Sequence, residues 1–324
     1  MHYQLTNSLV IFLSQASKLE YLEIKQCIMG QLFSNGILYN ENGSSVKFPT
    51  NLRYLSIDES VESAQLLQKL GEQCPKLECL NYAAHVINID KTLAKGLRYL
   101  QIRLEYQQKQ QFVDCLDSLS NLQALELYVI DQRGVFFADK TLKTVVEKCG
   151  KLEHVSLAGE DPSNSALKYF DLLALSKLDQ LTSLEIRTCD KYDCKQVQAL
   201  FQAVYERKKL EHFETDAIIP AEHICKALSI CKNLRRLAVH SLDSSGYSAI
   251  CKTMLSSHKD EILPKTVTDS RILQIRVASY GSLKCDYPDN AWIKIGGEYE
   301  AGVLTIQTRK KIRLGKLSSV ASYM

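Results

Sequence analysis

The chain has 324 residues, 45% hydrophobic and 24% charged, so it is long and apolar enough to bury a sizeable core. Its 40 basic and 37 acidic residues nearly cancel, leaving a net charge of +3. This balance argues against nucleic acid or a membrane surface as the partner, because both attract strongly basic proteins. No run approaches the ~18 apolar residues of a membrane-spanning helix.

The N-terminal residues 1–18 contain a short apolar run at 9–13 with no Lys or Arg before it. A secretory signal needs a basic start and a longer apolar core. We therefore expect an N-terminal helix, or a partial capping repeat, that packs behind the element that follows.

A six-residue phrase, Leu-x-x-Leu-x-Ile, then recurs along the chain. Clear copies begin at Leu19, Leu52, Leu97, Leu122 and Leu181, and looser copies begin at Leu77, Leu152, Leu210 and Leu234. A last copy ends in Leu273-Gln-Ile275. The spacing between first leucines varies from 20 to 33 residues. Self-similarity of this kind predicts a solenoid of about ten irregular repeats over residues 19–280.

Each phrase predicts a short strand followed by a helix. The last Leu and Ile lie two residues apart and so share one face of a strand. Amphipathic helices are predicted at 61–74, 140–149, 193–206 and, after Pro220, 221–231. In the third of these, an inward stripe is formed by Val197, Leu200, Phe201 and Val204. The predicted fold is an α/β leucine-rich-repeat solenoid, a horseshoe with a parallel concave sheet and helices on the convex side.

Residues 281–324 depart from the repeat. Two further strands are predicted around Gly296-Gly297, one beginning at Ala291 and one at Val303, and we expect them to cap the open end of the sheet. The basic cluster from Arg309 to Lys316 could be a nuclear targeting signal or a contact for an acidic partner. The alternative is an edge strand protected by charge from aggregation.

Cysteines fall at fixed places in the repeats. Cys74, Cys149 and Cys231 lie three residues before a first leucine, and Cys27 and Cys189 lie eight residues after one. All 11 cysteines are scattered, and no Cys-x-x-Cys occurs, which argues against a disulfide framework or a zinc site. We expect small buried thiols in a reducing compartment, the cytoplasm, with the nucleus as the alternative.

This cysteine placement resembles the cysteine-containing leucine-rich repeats of F-box proteins, the substrate receptors of cullin-based ubiquitin ligases. The resemblance implies a module that binds a target protein while other subunits transfer ubiquitin. An F-box would precede the repeats, but the first repeat begins at Leu19 and leaves too few residues for one. We expect no F-box in this chain, and a contact with the ligase adaptor only if an F-box lies upstream.

Two other classes of function stay open. The first is a stand-alone scaffold or inhibitor resembling the ribonuclease-inhibitor type of repeat protein. The second is a regulator of a small GTPase, which would require an Arg placed at the nucleotide phosphates; no residue can be singled out for that role.

Catalytic and cofactor motifs are absent from the sequence, including phosphate-binding glycine loops, H-E-x-x-H and G-x-S-x-G. His154 and His212 share a repeat position but lie two repeats apart, about 10 Å on a sheet, too far for a shared metal or proton relay. We expect no enzymatic activity, no cofactor and no metal.

Aligning the repeats predicts which side chains face outward on the concave sheet. Tyrosine and arginine, which dominate the binding energy of protein interfaces, recur in the outward positions. The predicted contact residues for a protein partner are Tyr54, Tyr99, Arg103, Tyr128 and Arg187. The alternative is that strands simply favour tyrosine. We expect a monomer.

Overall fold

The structure is a computed structural model. It describes residues 12–24, 47–57, 64–82, 89, 91–105, 109–130, 141–159, 171–187, 195–231 and 233–240, together with three C-terminal strands at 274–278, 292–298 and 301–307. The predicted contact residues all lie within these ranges. Cys27, Cys189, the basic cluster from Arg309, and residues 1–11 of the predicted N-terminal helix lie outside them.

Ten parallel strands form one sheet in the order in which they occur along the chain. They are β1 (Tyr21–Ile24), β2 (Tyr54–Ile57), β3 (Cys79–Tyr82), β4 (Tyr99–Glu105), β5 (Ala124–Ile130), β6 (His154–Gly159), β7 (Ser183–Arg187), β8 (His212–Thr215), β9 (Arg236–His240) and β10 (Gln274–Ala278). The number and order of strands confirm the predicted repeat solenoid, including the last phrase around Gln274.

The register pairs the same repeat position on neighbouring strands. Tyr21 lies opposite Tyr54, Tyr54 opposite Cys79, and Cys79 opposite Tyr99. A shared hydrogen-bond pattern sets this register: the carbonyl of the residue just before each strand accepts bonds from two successive backbone N–H groups of the next repeat. Glu20 O, for example, accepts from Arg53 N at 2.8 Å and Tyr54 N at 3.0 Å. The same residue of every repeat therefore starts its strand.

Helical segments connect the strands and cover one side of the sheet. The helices are α1 (Ala64–Gln73), α2 (Lys91–Gly96), α3 (Lys109–Cys115), α4 (Thr141–Lys148), α5 (Lys195–Tyr205) and α6 (Ala221–Ile230). Two 3-10 segments, Leu116–Ser118 and Leu172–Lys177, serve the same purpose. The four predicted helices are confirmed, and each ends one residue before its predicted end. The predicted helix residues 61–63, 140 and 193–194 lie outside the described residues, and residues 12–15 are also helical. No helix in the described part of the chain is long and apolar enough to cross a membrane.

The core lies between the sheet and the helices. It is built from the first leucine of each repeat and the two apolar residues of the strand; in the fourth repeat Leu97, Leu100 and Ile102 are at most 1% exposed. The stripe predicted on α5 is buried as well, and Phe201 packs against Phe213 of β8 with ring centroids 4.3 Å apart. Burying each such side chain contributes about 1.5–3 kcal/mol, so every repeat depends on its neighbours for stability.

The buried cysteines close the helices. Cys74, Cys149 and Cys231 follow α1, α4 and α6, and each backbone N–H donates to the carbonyl four residues earlier at 2.8 Å. Each cysteine carbonyl then accepts from the first leucine of the next repeat, at 3.0–3.1 Å. These thiols are at most 2% exposed, which confirms their structural role. Burial raises the pKa of Cys74 and of Cys149 to about 12, so they are poor nucleophiles and poor metal ligands.

The C-terminal strands β11 (Trp292–Glu298) and β12 (Ala301–Gln307) form an antiparallel hairpin beside β10. β11 continues through Gly296 and Gly297, which pair with Val303 and Gly302. Glycine in the interior of a strand permits close approach of a neighbouring chain. The role of this hairpin as a cap of the sheet stays a prediction.

Candidate functional site

The side chains that alternate with the buried ones form a second surface, which we call the open sheet face. It consists of three rows that run across the strands. Row three contains Tyr21, Tyr54, Cys79, Tyr99, Ala124, His154, Ser183, His212 and Arg236. Row five contains Glu23, Ser56, Asn81, Gln101, Glu126, Ser156, Glu185, Glu214 and Ala238. Row seven contains Arg103, Tyr128, Ala158 and Arg187.

At the N-terminal end of the face, two tyrosines stack. The rings of Tyr21 and Tyr54 are 4.2 Å apart between centroids and only 5° from parallel. Tyr21 is 42% exposed, and its hydroxyl donates to Glu23 at 3.4 Å. Burial, followed by the contact with Tyr21, raises the pKa of Tyr54 to about 12. The pair is a flat aromatic surface, and the hydroxyl of Tyr54 is uncharged at neutral pH. Tyr21 was not among the predicted contact residues, although its row-three position already pointed to it.

The Tyr99 hydroxyl has contacts on its own strand and on the next. Its hydroxyl donates to Gln101 Oε1 at 3.0 Å, and it also lies close to the Glu126 carboxylate. Burial and the negative charge of Glu126 raise the pKa of Tyr99. This side chain supports the face from within and presents only part of its ring to a partner.

Three half-buried carboxylates line row five, on β5, β7 and β8. The exposed fractions of Glu126, Glu185 and Glu214 are 21%, 14% and 19%. Burial alone would raise the pKa of Glu126, but hydrogen bonding to His154 and Tyr99 outweighs it, and the pKa is lowered. Glu126 is therefore ionised at neutral pH, and its charge is compensated from neighbouring strands.

Arginines supply most of that compensation. The Arg187 guanidinium pairs with Glu185 on its own strand and lies 3.5 Å from Glu214 on the next. Arg236 pairs with the other oxygen of Glu214 at 2.7 Å. Burial would lower the pKa of Arg187, but the two carboxylates raise it overall. Because its side chain is still 50% exposed, Arg187 can contact a partner without leaving this network.

His154 lies between a serine and a carboxylate. Its Nδ1 is 2.7 Å from Ser183 Oγ, and its Nε2 is 3.6 Å from Glu126 Oε1. Serine, imidazole and carboxylate in this order also occur in hydrolases. Acyl transfer needs free N–H donors for the oxyanion, and the backbone N–H of Ser183 instead donates to Glu153 O at 3.0 Å. We interpret the three groups as a lateral network that holds the face rigid.

The five predicted contact residues fall into three positions on the face. Arg103, Tyr128 and Arg187 lie in one row on β4, β5 and β7, with the small Ala158 between the last two. Tyr128 is 37% exposed. Tyr99 lies in row three of β4, and Tyr54 lies two strands away in the stack with Tyr21. Among the described residues, no three His, Cys, Asp or Glu side chains are grouped so that they could bind a metal ion.

The chain has little similarity to known proteins. No family model and no curated protein matches it. Among solved structures, the leucine-rich repeat-containing protein LegL7 from Legionella pneumophila is similar over 84% of this chain and 87% of that chain, with 13% sequence identity and a TM-score of 0.46. Similarity this low carries no argument about function, and the assignment of the fold rests on the ten-stranded parallel sheet itself.

Proposed function

We propose that this chain is a recognition module that binds a protein partner on the open sheet face, the predicted concave face. The observation that carries the proposal is the continuity of row seven. Exposed Tyr128 and Arg187 flank Ala158, and Arg103 extends the row onto β4. Because the small Ala158 is only 7% exposed, Tyr128 and Arg187 interact across it and offer a partner one continuous surface.

The chemistry of the face suits a protein better than a small molecule. Its surface is extended over many strands, and it offers tyrosine and arginine, which are enriched among the residues that dominate binding energy. Its charges are balanced by lateral pairs such as Arg187 with Glu185. Because these pairs already fix the side chains, less rotamer entropy is lost when a partner binds.

The test of this proposal uses a triple variant of row seven, Arg103→Ala, Tyr128→Ala and Arg187→Ala. Partners are first captured from cells with the wild-type chain, and the affinity of a purified partner is then compared between variants. We expect the triple variant to bind at least about 100-fold more weakly. The two exposed residues, Tyr128 and Arg187, are each expected to contribute about 2 kcal/mol to the free energy of binding, as hot-spot residues do.

The matched control replaces three helix residues on the opposite side, Lys143, Gln202 and Lys226, by alanine. It is expected to keep wild-type affinity. Circular dichroism checks that both variants are folded. A partner that binds the row-seven variant as tightly as wild type would refute the proposed face.

Within this function, we propose selection of substrates for a cullin-based ubiquitin ligase as the biological setting. The support is the resemblance of the cysteine pattern, in which Cys74, Cys149 and Cys231 close successive repeats, to that of F-box leucine-rich-repeat proteins. The measurement is mass spectrometry of complexes purified through a tag on the endogenous protein. If the endogenous protein carries an F-box, we expect the ligase adaptor and a cullin in stoichiometric amounts. Their absence, with a target still bound, would favour a stand-alone scaffold or inhibitor.

A further inference from the structure

A groove runs along the edge of the sheet where the strands begin, away from the open sheet face. Its volume is about 770 Å³. It is lined by residues of six successive repeats, from Glu20 before β1 to Lys151 before β6. The side chains that line it come from the positions around the first leucine of each repeat. These positions are separate from the residues proposed to contact a partner on the open sheet face.

The groove is positively charged. Five cationic side chains line it, against the carboxylates of Glu20 and Glu78, so its local charge is +3. The cations are Arg53, Lys76, Lys95, Arg98 and Lys151. This equals the net charge of the whole 324-residue chain. The groove is therefore a local concentration of positive charge in a chain whose overall charge is small.

Neighbouring repeats hold several of these cations in place. Arg53 pairs with Glu78 at 2.9 Å, which neutralises one of the two carboxylates. Lys76 Nζ donates to Asn51 Oδ1 at 2.6 Å, and Lys151 Nζ donates to Asn121 Oδ1 at 2.8 Å. The bonds to neutral amides orient the ammonium groups without neutralising them, so both remain available to an anion.

A gap in the side-chain row opens the middle of the groove. The position just before the first leucine carries Asn51, Lys76, Asn121 and Lys151 in the neighbouring repeats, but Gly96 in the fourth. A Cβ at Gly96 would lie 3.1 Å from Leu77 O, so the two repeats approach closely there. The exposed side chains of Lys95 and Arg98 flank this gap. The gap therefore lies between two exposed cations and carries no side chain of its own.

We propose that this groove binds an extended acidic peptide segment of a partner protein. Six strands at a spacing of ~4.8 Å span about 24 Å, which an extended peptide of about seven residues would match at ~3.3 Å per residue. Carboxylates of such a peptide would reach Lys95, Arg98 and Lys151, and its backbone would meet the amides of Asn121 and Gln123. A single-stranded nucleic acid fits less well, because the described residues that line the groove include no aromatic side chain on which its bases could stack.

The experiment measures binding of a fluorescein-labelled heptapeptide of alternating Glu and Gly to the full chain by fluorescence anisotropy. The variant Lys95→Glu with Arg98→Glu reverses two exposed charges beside the gap. We expect it to bind the peptide at least about tenfold more weakly, and we expect binding by the wild type to weaken as salt is added. A peptide with Gln in place of Glu should bind poorly to both.

The control variant, Lys177→Glu with Lys226→Glu, makes the same change of net charge on exposed residues outside the groove. If the control variant binds the acidic peptide with unchanged affinity, the result supports the groove as the binding site. The proposal is overturned if the acidic peptide fails to bind, if the two variants lose affinity equally, or if a seven-nucleotide single-stranded RNA binds more tightly than the peptide. The row-seven variant should bind the peptide normally, so failure here is distinct from failure of the proposed open-face function.

Discussion

At the scale of single residues, Glu126 shows how the open face is stabilised. This carboxylate is half-buried between Tyr99 and His154, and the same contacts lower its pKa below the usual 4.5. A group whose pKa is lower in the folded state than in the unfolded state stabilises the fold above its unfolded pKa. That contribution is lost as the pH falls through the lowered folded pKa.

The change Glu126→Gln removes this contribution. We expect the variant to be less stable than wild type by about 1–2 kcal/mol at neutral pH, because a charged acceptor is replaced by a neutral one. The difference should shrink as the pH falls below 4.5, because the unfolded chain then binds a proton at Glu126 while the folded protein does so only at a lower pH. Urea unfolding at several pH values measures this difference in stability between the variant and the wild type. The exposed Glu153→Gln serves as control and should change stability by less than about 0.5 kcal/mol. A difference that is independent of pH would contradict this account.

At the scale of elements, the turn between α5 and β8 differs from its equivalents. In most repeats the first leucine donates to the carbonyl three residues earlier, as Leu152 does to Cys149 at 3.1 Å. After α5 the chain instead turns through Lys208, which has a φ of 63° and donates to Tyr205 O at 2.9 Å. This left-handed conformation costs a residue with a Cβ about 1 kcal/mol, and glycine adopts it freely.

We therefore expect Lys208→Gly to raise the free energy of unfolding by up to about 0.5 kcal/mol, because relief of about 1 kcal/mol of strain offsets or slightly exceeds the entropy cost of glycine. The comparison is Lys226→Gly within α6, which should lower stability by about 1 kcal/mol. Both are measured by urea unfolding. Equal destabilisation by the two glycines would show that the conformation of Lys208 carries no strain.

At the scale of the whole molecule, stability depends on contacts between neighbouring repeats. Leu125 in β5 is completely buried, and β5 pairs with β4 and β6 alone. In such a linear array, damage to one repeat acts first on its neighbours. That the protein is a monomer stays a prediction.

The change Leu125→Ala is expected to lower the free energy of unfolding by about 2–5 kcal/mol, because it leaves a cavity in the core. Amide hydrogen exchange should accelerate most in β4, β5 and β6, and least in β9. The matching change Leu237→Ala in β9 should produce the opposite distribution. A uniform acceleration in both variants would indicate that the array unfolds as a single unit.

The sequence alone determined the repeat architecture of this protein. The spacing of leucines predicted the strands, four of the helices and the rows of the open face, because side chains alternate along a strand and equivalent positions align in stacked repeats. It also predicted that Cys74, Cys149 and Cys231 would be buried. What remained undetermined was how residues in different rows and repeats combine.

Only the tertiary structure decided those combinations. The contacts from Glu126 to His154 and from His154 to Ser183 cross three strands, and the groove joins residues from Glu20 to Lys151. The local sequence pattern repeats in every unit, so it cannot distinguish which neighbours meet. Lateral contacts instead depend on strand spacing, on the orientation of each side chain and on which residue stands in the neighbouring repeat, as Gly96 does against the carbonyl of Leu77.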